Sequence, residues 1–228
     1  MNKVLHATEC LNTGVYLAIM GSIKSSPDFE HHLLYEIRKD SPSPDLLALQ
    51  QLGVITYLWE GGVVKKRIQL NIIQKKIKPN ITHLHSSWAG FIGRLFPMNS
   101  RLVYSSHGFG FQRKDYNAIF RFAFYLIEKI LQINTSANIA YMPFEYSLFR
   151  NILKSKKIYL ASMDFWNFSF AGINNERKLN SLSKNKQIVS IGRITPAKDP
   201  YFFLKVVIEI RKLGYVGDIL WIGDGATE

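Results

Sequence analysis

Short apolar runs alternate with helix-length segments along almost the whole chain. The runs at 3–7, 81–85 and 102–106 have the length and composition of buried strands, and segments with helical periodicity follow them. Parallel strands need long crossover connections, which are usually helices, so this alternation favours parallel sheets covered on both faces. The predicted fold class is therefore α/β.

The chain has 228 residues, which is enough for one large domain or two smaller ones. A stretch rich in Asn, Ser and Lys, with weak periodicity, precedes a new strand that begins near Gln187. We therefore expect an N-terminal domain at 1–165, a linker at 166–186 and the start of a second α/β domain at 187–228.

The start of the second domain combines an apolar strand with a basic loop. The strand at 188–191 stops at Gly192, and Arg193 and Lys198 follow before a helix-like segment at 201–212. A glycine and cations between a strand and a helix are typical of an anion site at the carboxyl edge of a sheet. The alternative is an ordinary strand-to-helix turn whose two cations are solvated.

The charge of the chain is strongly positive. The formal net charge is +12, and ten Lys or Arg residues but no acidic residue lie between Gly61 and Lys114. This favours an anionic partner such as a phosphate-bearing ligand or an acidic membrane surface. RNP-type aromatic motifs, zinc-finger spacings and helix-turn-helix patterns are absent, so nucleic acid is not an expected partner.

A predicted helix at 63–78 carries much of this charge. Its apolar side chains Val64, Ile68 and Ile72 recur at helical spacing, which predicts a basic amphipathic helix. Such a helix suits an anionic lipid surface, whereas the alternative is a core-packed helix with a solvated basic face. The candidate surface residues are Lys65, Lys66, Arg67, Lys75 and Lys76. The aromatic-rich helix predicted at 116–133 is either part of the core or a second membrane-facing element.

His107 is the candidate catalytic residue. It directly follows the predicted strand at 102–106 and precedes Gly108 and Gly110. Ligands of open α/β sheets bind where strands end, and an imidazole there can act as a base or a hydrogen-bond donor. The alternative is a histidine that only caps the strand.

Several features are predicted to be absent. The first loop has a single glycine, Gly14, so the dinucleotide fingerprint is missing. His83 and His85 have no acidic cluster near them in sequence, so we expect no metal site. Cys10 is the sole cysteine, and the apolar runs are shorter than the ~18 residues that a membrane span needs.

Five segments together resemble the retaining glycosyltransferases of family 4, also called group 1. These segments are KVLHATECLNTGVYLAI, HLHSSWAGFIGRL, RLVYSSHGFGF, IVSIGRITPAKDPYFFLKVV and DILWIGDG. The resemblance implies the GT-B fold of two Rossmann-like domains. It also implies a nucleotide-sugar donor as substrate, with no metal and no other cofactor.

The resemblance implies roles for particular residues. Arg193 and Lys198 would hold the donor diphosphate, and fixed cations there would stabilise the charge that develops on the leaving group. Gly14 would let the backbone approach the donor, and His107 would lie beside the transferred sugar. The other donor-binding residues would be Gly223 and Gly225, in the turn of the IGDG segment.

The sequence departs from the family pattern in three places. Thr13 stands where a first glycine is common, and Asp199 replaces the glycine that follows the signature lysine. The family's E-x7-E motif is absent before Glu228. We therefore expect the second domain to be truncated, with partly exposed apolar side chains such as Phe202 and Leu220 and little transferase activity in this chain alone.

The function expected from the resemblance is sugar transfer from a nucleotide-sugar donor to a saccharide or a membrane-associated, lipid-linked acceptor. The expected setting is polysaccharide, lipopolysaccharide or capsule biosynthesis, with the protein in the cytoplasm and peripheral at the inner face of the plasma membrane. The alternative is a catalytically inactive, truncated GT-B module that binds an anionic membrane surface or a partner protein.

Overall fold

The computed structural model describes residues 1–11, 13–37, 45–161, 187–195 and 198–225. Backbone contacts divide the chain into two compact units, Met1–Ala171 and Gly172–Glu228. The predicted linker at 166–186 lies outside the described residues, so the domain boundaries stay a prediction.

The first unit is built on one parallel sheet. Its described strands are β1 (Asn2–Thr8), β2 (Phe29–Tyr35), β3 (Ile55–Leu58), β4 (Ile81–His85), β5 (Arg101–Ser105), β6 (Ala137–Ala140) and β7 (Ile158–Leu160). They lie in the order β3-β2-β1-β4-β5-β6-β7, and every neighbouring pair is parallel. The chain therefore builds the sheet outwards in both directions from β1 and β4.

Helices connect these strands. They are α1 (Thr13–Lys24), α2 (Leu46–Gln51), α3 (Val63–Ile77), α4 (Ser87–Arg94), α5 (Ala118–Leu131) and α6 (Pro143–Ser147). Side-chain caps begin two of them: Asp45 accepts from the Ala48 N–H at 3.1 Å, and Asn117 accepts from the Phe120 N–H at 3.0 Å. A π turn at Leu148–Ile152 directly follows α6.

Apolar side chains cover both faces of the sheet. Ile19 of α1 and Leu49 of α2 pack with Leu33 in one cluster. Leu70 of α3 and Ile92 of α4 belong to the other cluster, on the opposite face. The strands are therefore buried on both sides, and the predicted α/β class with a covered parallel sheet is confirmed.

Two glycines bring α4 directly onto the sheet. A Cβ at Gly90 would lie 2.3 Å from the ring of Tyr104, and a Cβ at Gly93 would lie 2.3 Å from Leu84. Both distances are far below van der Waals contact, so these glycines are needed for close packing. The spacing A-G-F-I-G-R thus places α4 between α3 and α5 on the same face.

The second unit contains, in its described part, the strands β8 (Ile188–Ile191) and β9 (Ile219–Ile222) and the helix α7 (Pro200–Lys212). The two strands pair in parallel. Asp199 caps α7 by accepting from the Phe202 N–H at 3.0 Å, and Pro200 is the first residue of the helix. Phe202 and Leu220 are exposed, as predicted.

Candidate functional site

The loop that follows β5 holds His107 in a constrained backbone conformation. Its φ is +49°, in the left-handed region that non-glycine residues seldom adopt. Its N–H donates to Oε1 of Glu145 at 3.0 Å, and the Ser106 hydroxyl donates to the same oxygen. The Tyr141 N–H donates to Oε2 of Glu145 at 2.8 Å. One buried carboxylate therefore fixes the strand ends around His107.

The imidazole of His107 lies between two aromatic side chains. It stacks on Tyr141 with 5.0 Å between ring centroids, and its Nε2 lies 3.1 Å from Nδ1 of His85. Burial lowers the pKa of His107 to about 4. The ring is therefore neutral near pH 7, where it can accept a proton or a hydrogen bond.

His107 is the end of a row of buried imidazoles that crosses the sheet. Nε2 of His85 lies 3.1 Å from Nδ1 of His6, and Nε2 of His6 lies 3.2 Å from Nδ1 of His31. These three rings stand on β4, β1 and β2, which are neighbours in the sheet. The sequence analysis missed this row. The sequence held one signal, because side chains at alternate positions of a strand share one face of the sheet. The observed register pairs His6 with His83, which puts the histidines of these strands on the same face.

Burial keeps His6, His83 and His85 neutral. Desolvation lowers the pKa of His6 to about 3, with the nearby His31 as a second cause. Desolvation also lowers the pKa values of His83 and His85 well below the ordinary histidine range, and neighbouring histidines add to this. Each ring thus has one N–H and one acceptor nitrogen at neutral pH.

His6, His83 and His85 form the group that comes nearest to a metal site in the described part of the chain. One nitrogen from each ring lies within 4.8 Å of the others. Hydrogen bonds already engage the three rings, to His31, to Ser105 and to His107. The expectation of no metal stays a prediction, and this cluster is where it can be tested.

A second buried carboxylate organises the loops after β1 and β4. Glu9 accepts from the Ser86 hydroxyl and, at 3.0 Å, from the Ala89 N–H at the start of α4. Ser86 has a positive φ of 80°. Neither Glu9 nor Glu145 was predicted as a site residue. Glu145 lies in the first turn of a helix, where acidic residues are common for electrostatic reasons, so nothing in the sequence singled it out.

Gly14 and His107 belong to the same edge of the sheet. Gly14 lies in the first turn of α1, after β1, and a Cβ at this position would meet nothing within 4 Å. The strand order reverses between β1 and β4, and open α/β sheets bind ligands outside the carboxyl ends of strands at such a point. This edge is the candidate site of the first unit.

In the second unit, the loops after β8 and β9 meet closely. The Gly192 N–H donates to the Ile222 carbonyl at 2.9 Å, and the Ile194 N–H donates to the Asp224 carbonyl at 2.8 Å. A Cβ at Gly223 would lie 2.2 Å from the Gly192 oxygen, and a Cβ at Gly225 would lie 2.1 Å from the Ile194 oxygen. Both glycines therefore have a structural role, whether or not they also contact a donor.

Arg193 and Lys198 both belong to the short connection between β8 and α7. Both side chains are exposed. Lys198 immediately precedes the N-cap Asp199, and a cavity of about 290 Å³ lies beside it, lined also by Phe203 and Trp221. The arrangement places Lys198 next to the positive end of a helix, which suits an anion.

The helix α3 is oriented differently from the prediction. Lys66 and Arg67 are buried, so these two do not belong to an exposed basic surface. Lys66 pairs with Glu36 at 2.5 Å, and Arg67 donates to the Gly93 carbonyl at 2.9 Å. Burial lowers the pKa of Arg67. Their aliphatic stems let charged residues occupy the packed face. The other predicted surface residues, Lys65, Lys75 and Lys76, are exposed.

The apolar stripe of α3 faces outwards. Val64, Ile68 and Ile72 are 73%, 53% and 59% exposed, so the alternative in which this stripe packs into the core does not hold. The helix α5 belongs to the same layer and shows the same pattern. Among its described residues, only Glu128 and Leu131 are buried. The exposed side chains of α5 include Ile119, Phe120, Phe122, Leu126 and Ile130. Among the described residues, no helix is both long and apolar enough to cross a bilayer.

Comparisons with known proteins support the fold. No family model and no curated protein sequence matches the chain. Sucrose-phosphate synthase from Thermosynechococcus elongatus aligns over 98% of this chain and 71% of its own, with 11% identity and a TM-score of 0.60. MnaA from S. aureus, solved with UDP, aligns over 100% of this chain and 63% of its own, with 12% identity and a TM-score of 0.61.

A third solved structure is Anabaena HepE in complex with UDP and glucose. It aligns over 99% of this chain and 70% of its own, with 12% identity and a TM-score of 0.57. At these identities the likeness shows the fold alone, and it confirms the predicted GT-B type. This chain spans roughly two thirds of the length of these proteins.

Proposed function

We propose that the chain is the acceptor-side domain and the beginning of the donor-binding domain of a retaining glycosyltransferase of family 4. The substrate would be a nucleotide-sugar. Solved structures with the same fold include MnaA with UDP and HepE with UDP and glucose, which supports a donor of this class. The observation that carries the proposal is a neutral histidine, held in a strained conformation, where β5 ends beside the point of strand-order reversal.

His107 suits contact with a sugar better than contact with a phosphate. A neutral imidazole offers one N–H and one acceptor nitrogen, which suit a hydroxyl, but it has no positive charge to attract a phosphate. Two buried carboxylates, Glu9 and Glu145, hold the surrounding loops through hydrogen bonds. The site would therefore position a hydroxyl-bearing ligand without reorganising its own backbone.

Arg193 and Lys198 would bind the diphosphate. In the proposed reaction the bond between the anomeric carbon and the diphosphate oxygen breaks, and the acceptor hydroxyl oxygen bonds to that carbon on the same face. The acceptor proton passes to the departing diphosphate. The two cations stabilise the negative charge that the diphosphate gains as the bond breaks. This chemistry needs no metal.

Calorimetric titration with UDP- and GDP-sugars tests the donor site. Removing a charge-assisted contact costs about 1.5–3 kcal/mol, so Arg193→Ala and Lys198→Ala should each raise the Kd about 10- to 100-fold. Lys205→Ala, at an exposed position of α7, is the matched control and should leave the Kd unchanged. Equal affinity in all four proteins would contradict the assignment of the diphosphate loop.

The acceptor is proposed to be membrane-associated. The layer formed by α3, α4 and α5 exposes apolar side chains on α3 and α5 together with Lys65, Lys75 and Lys76. Apolar side chains beside lysines suit insertion at the headgroup level of an anionic bilayer. We therefore propose a peripheral location at the cytoplasmic face of the plasma membrane and a lipid-linked acceptor in polysaccharide assembly.

Vesicle flotation tests the membrane surface. The protein should float with vesicles of phosphatidylcholine and phosphatidylglycerol, and less well as salt is raised, because screening weakens the attraction of the lysines. Phe122→Ser and the combined change of Lys65, Lys75 and Lys76 to Glu should each abolish flotation, while Lys205→Glu should not. Flotation that is indifferent to these changes would exclude this face as the membrane contact.

A purely membrane-binding module is the weaker alternative. The basic and apolar face would be enough for membrane binding. The constrained His107 and the two carboxylates around it would then have no function. Turnover of a nucleotide-sugar by the chain joined to a family-like C-terminal continuation, lost in His107→Ala by about 100-fold or more, would decide for the enzyme.

A further inference from the structure

The row of buried imidazoles has a direction that the hydrogen bonds determine. At its far end, Nε2 of His31 lies 3.0 Å from the carbonyl oxygen of Ser26. A carbonyl oxygen can only accept, so Nε2 of His31 carries the hydrogen. Nδ1 of His31 is then the nitrogen that faces Nε2 of His6 as the acceptor. The backbone carbonyl of Ser26 therefore fixes the tautomer of His31 at this end of the row.

The same reasoning passes along the row. Nδ1 of His31 accepts from Nε2–H of His6, which leaves Nδ1 of His6 to accept from Nε2–H of His85. Nδ1 of His85 in turn accepts from Nε2–H of His107. Every ring is in the Nε2–H tautomer, and Nδ1 of His107 is left without a proton.

A side branch agrees with this pattern. The Ser105 hydroxyl donates to the Ile139 carbonyl at 2.8 Å, so its oxygen accepts from Nε2 of His83 at 2.9 Å. His83 is thereby in the same tautomer, and its ring packs 3.8 Å from that of His85.

Burial of the row needs an explanation beyond packing. His6 and His85 are almost fully buried, where apolar side chains would avoid the cost of desolvating two ring nitrogens each. We propose that His31, His6 and His85 are positioning residues, which hold His107 in the Nε2–H tautomer so that its Nδ1 accepts a hydrogen bond from a ligand hydroxyl. The identity of that ligand as a sugar rests on the proposed function, whereas the tautomer does not.

Long-range ¹H–¹⁵N spectra of the full chain, labelled with ¹⁵N-histidine, test the tautomers at pH 8. The expected result is the Nε2–H form for His6, His31, His85 and His107. A mixture of both forms, or Nδ1–H at His107 in the unmodified chain, would overturn the proposal. One equivalent of a transition metal retained through gel filtration would also overturn it, because ring nitrogens of His6 and His85 would then be ligands.

Two substitutions at His31 separate positioning from general packing. His31→Gln can still accept from His6 through its oxygen and donate to the Ser26 carbonyl through its amide, so His107 should keep the Nε2–H form. His31→Leu removes the fixed end and leaves the two directions of the row nearly equal in energy. His107 should then show both tautomers in the spectra, in about equal populations.

The spectra also separate this proposal from the proposed function. If the chain binds no nucleotide-sugar, the tautomer of His107 in the unmodified chain and in His31→Gln still decides the proposal. If the chain binds a nucleotide-sugar but His31→Leu leaves His107 in the Nε2–H form, the positioning role is wrong and the transferase assignment is unaffected.

Discussion

At the scale of single residues, the carboxylate of Glu145 has more influence on the candidate site than its position suggests. It accepts hydrogen bonds from the backbone of His107 and Tyr141 and from the hydroxyl of Ser106, so it connects the ends of β5 and β6. His107 needs such support because its left-handed backbone conformation costs about 1–3 kcal/mol. The strained residue, His107, and the carboxylate that stabilises it, Glu145, are therefore in direct contact.

Glu145→Gln tests this support. The amide group can replace at most one acceptor oxygen, so a backbone N–H or the Ser106 hydroxyl loses its partner. The free energy of unfolding should fall by about 1–3 kcal/mol, measured by urea denaturation. Glu209→Gln, at an exposed position of α7, should change it by less than about 0.5 kcal/mol. Equal stability of the two variants would argue that Glu145 does not hold the loop.

At the scale of elements, the sequence predicted the strands well and the faces of the helices less well. The strands at 81–85 and 188–191 were predicted with the observed bounds, because chain-breaking residues mark their limits, Pro79 before the first and Gly192 after the second. On α3 the spacing left open whether the apolar stripe faces a membrane surface or the core, and Lys66 and Arg67 were wrongly placed on the exposed side. The stems of Lys66 and Arg67 fill the packed side, and no rule based on hydrophobic spacing registers them.

The histidine row illustrates what strand prediction leaves out. Each histidine could be placed on its strand from the sequence, but their contact depends on which strands are neighbours and in what register. His6 lies 79 positions before His85 in sequence. A single sequence gives neither the order nor the register of the strands, so it does not predict this pairing.

The contact between α4 and α5 depends on a buried ion pair. Nη2 of Arg94 lies 2.8 Å from Oε2 of Glu128, and the Tyr104 hydroxyl donates to Oε1 of Glu128 at 2.9 Å. The guanidinium also lies 3.5 Å above the ring of Tyr104. The carboxylate thus neutralises a fully buried cation between two helices and the sheet.

Removal of this carboxylate should strongly destabilise the first unit. Glu128→Ala leaves Arg94 charged, buried and unpaired, which costs about 3–5 kcal/mol. Thermal unfolding followed by circular dichroism measures the effect, with the adjacent, exposed Lys129→Ala as the control. A loss below about 1 kcal/mol would mean that water or another group compensates Arg94.

At the scale of the whole molecule, the buried histidines make stability depend on pH. A histidine whose pKa is lowered by folding binds fewer protons in the folded than in the unfolded state. Its stabilising contribution is present above the unfolded pKa of about 6.5 and is lost as pH falls towards the folded pKa. That folded value is about 4 for His107 and about 3 for His6, and His83 and His85 are shifted in the same direction.

We therefore expect the free energy of unfolding to fall steeply between about pH 6 and pH 4. Each of the four histidines contributes up to about 1.4 kcal/mol per pH unit in this window. Denaturant titrations at several pH values measure the slope. His83→Gln removes one of the four and should flatten the slope by about that amount, whereas an unchanged slope would contradict neutral burial of His83.

The position of β1 at the middle of the sheet also has a consequence for synthesis on the ribosome. β1 is made first, but its neighbour β4 emerges only after some eighty residues, since Val4 pairs with Ile81. At about 5–20 residues per second, this takes several seconds. During that time β1 has β2 on one side and an open edge on the other, with His6 exposed to water. The nascent chain is therefore a candidate for chaperone binding until β4 is complete.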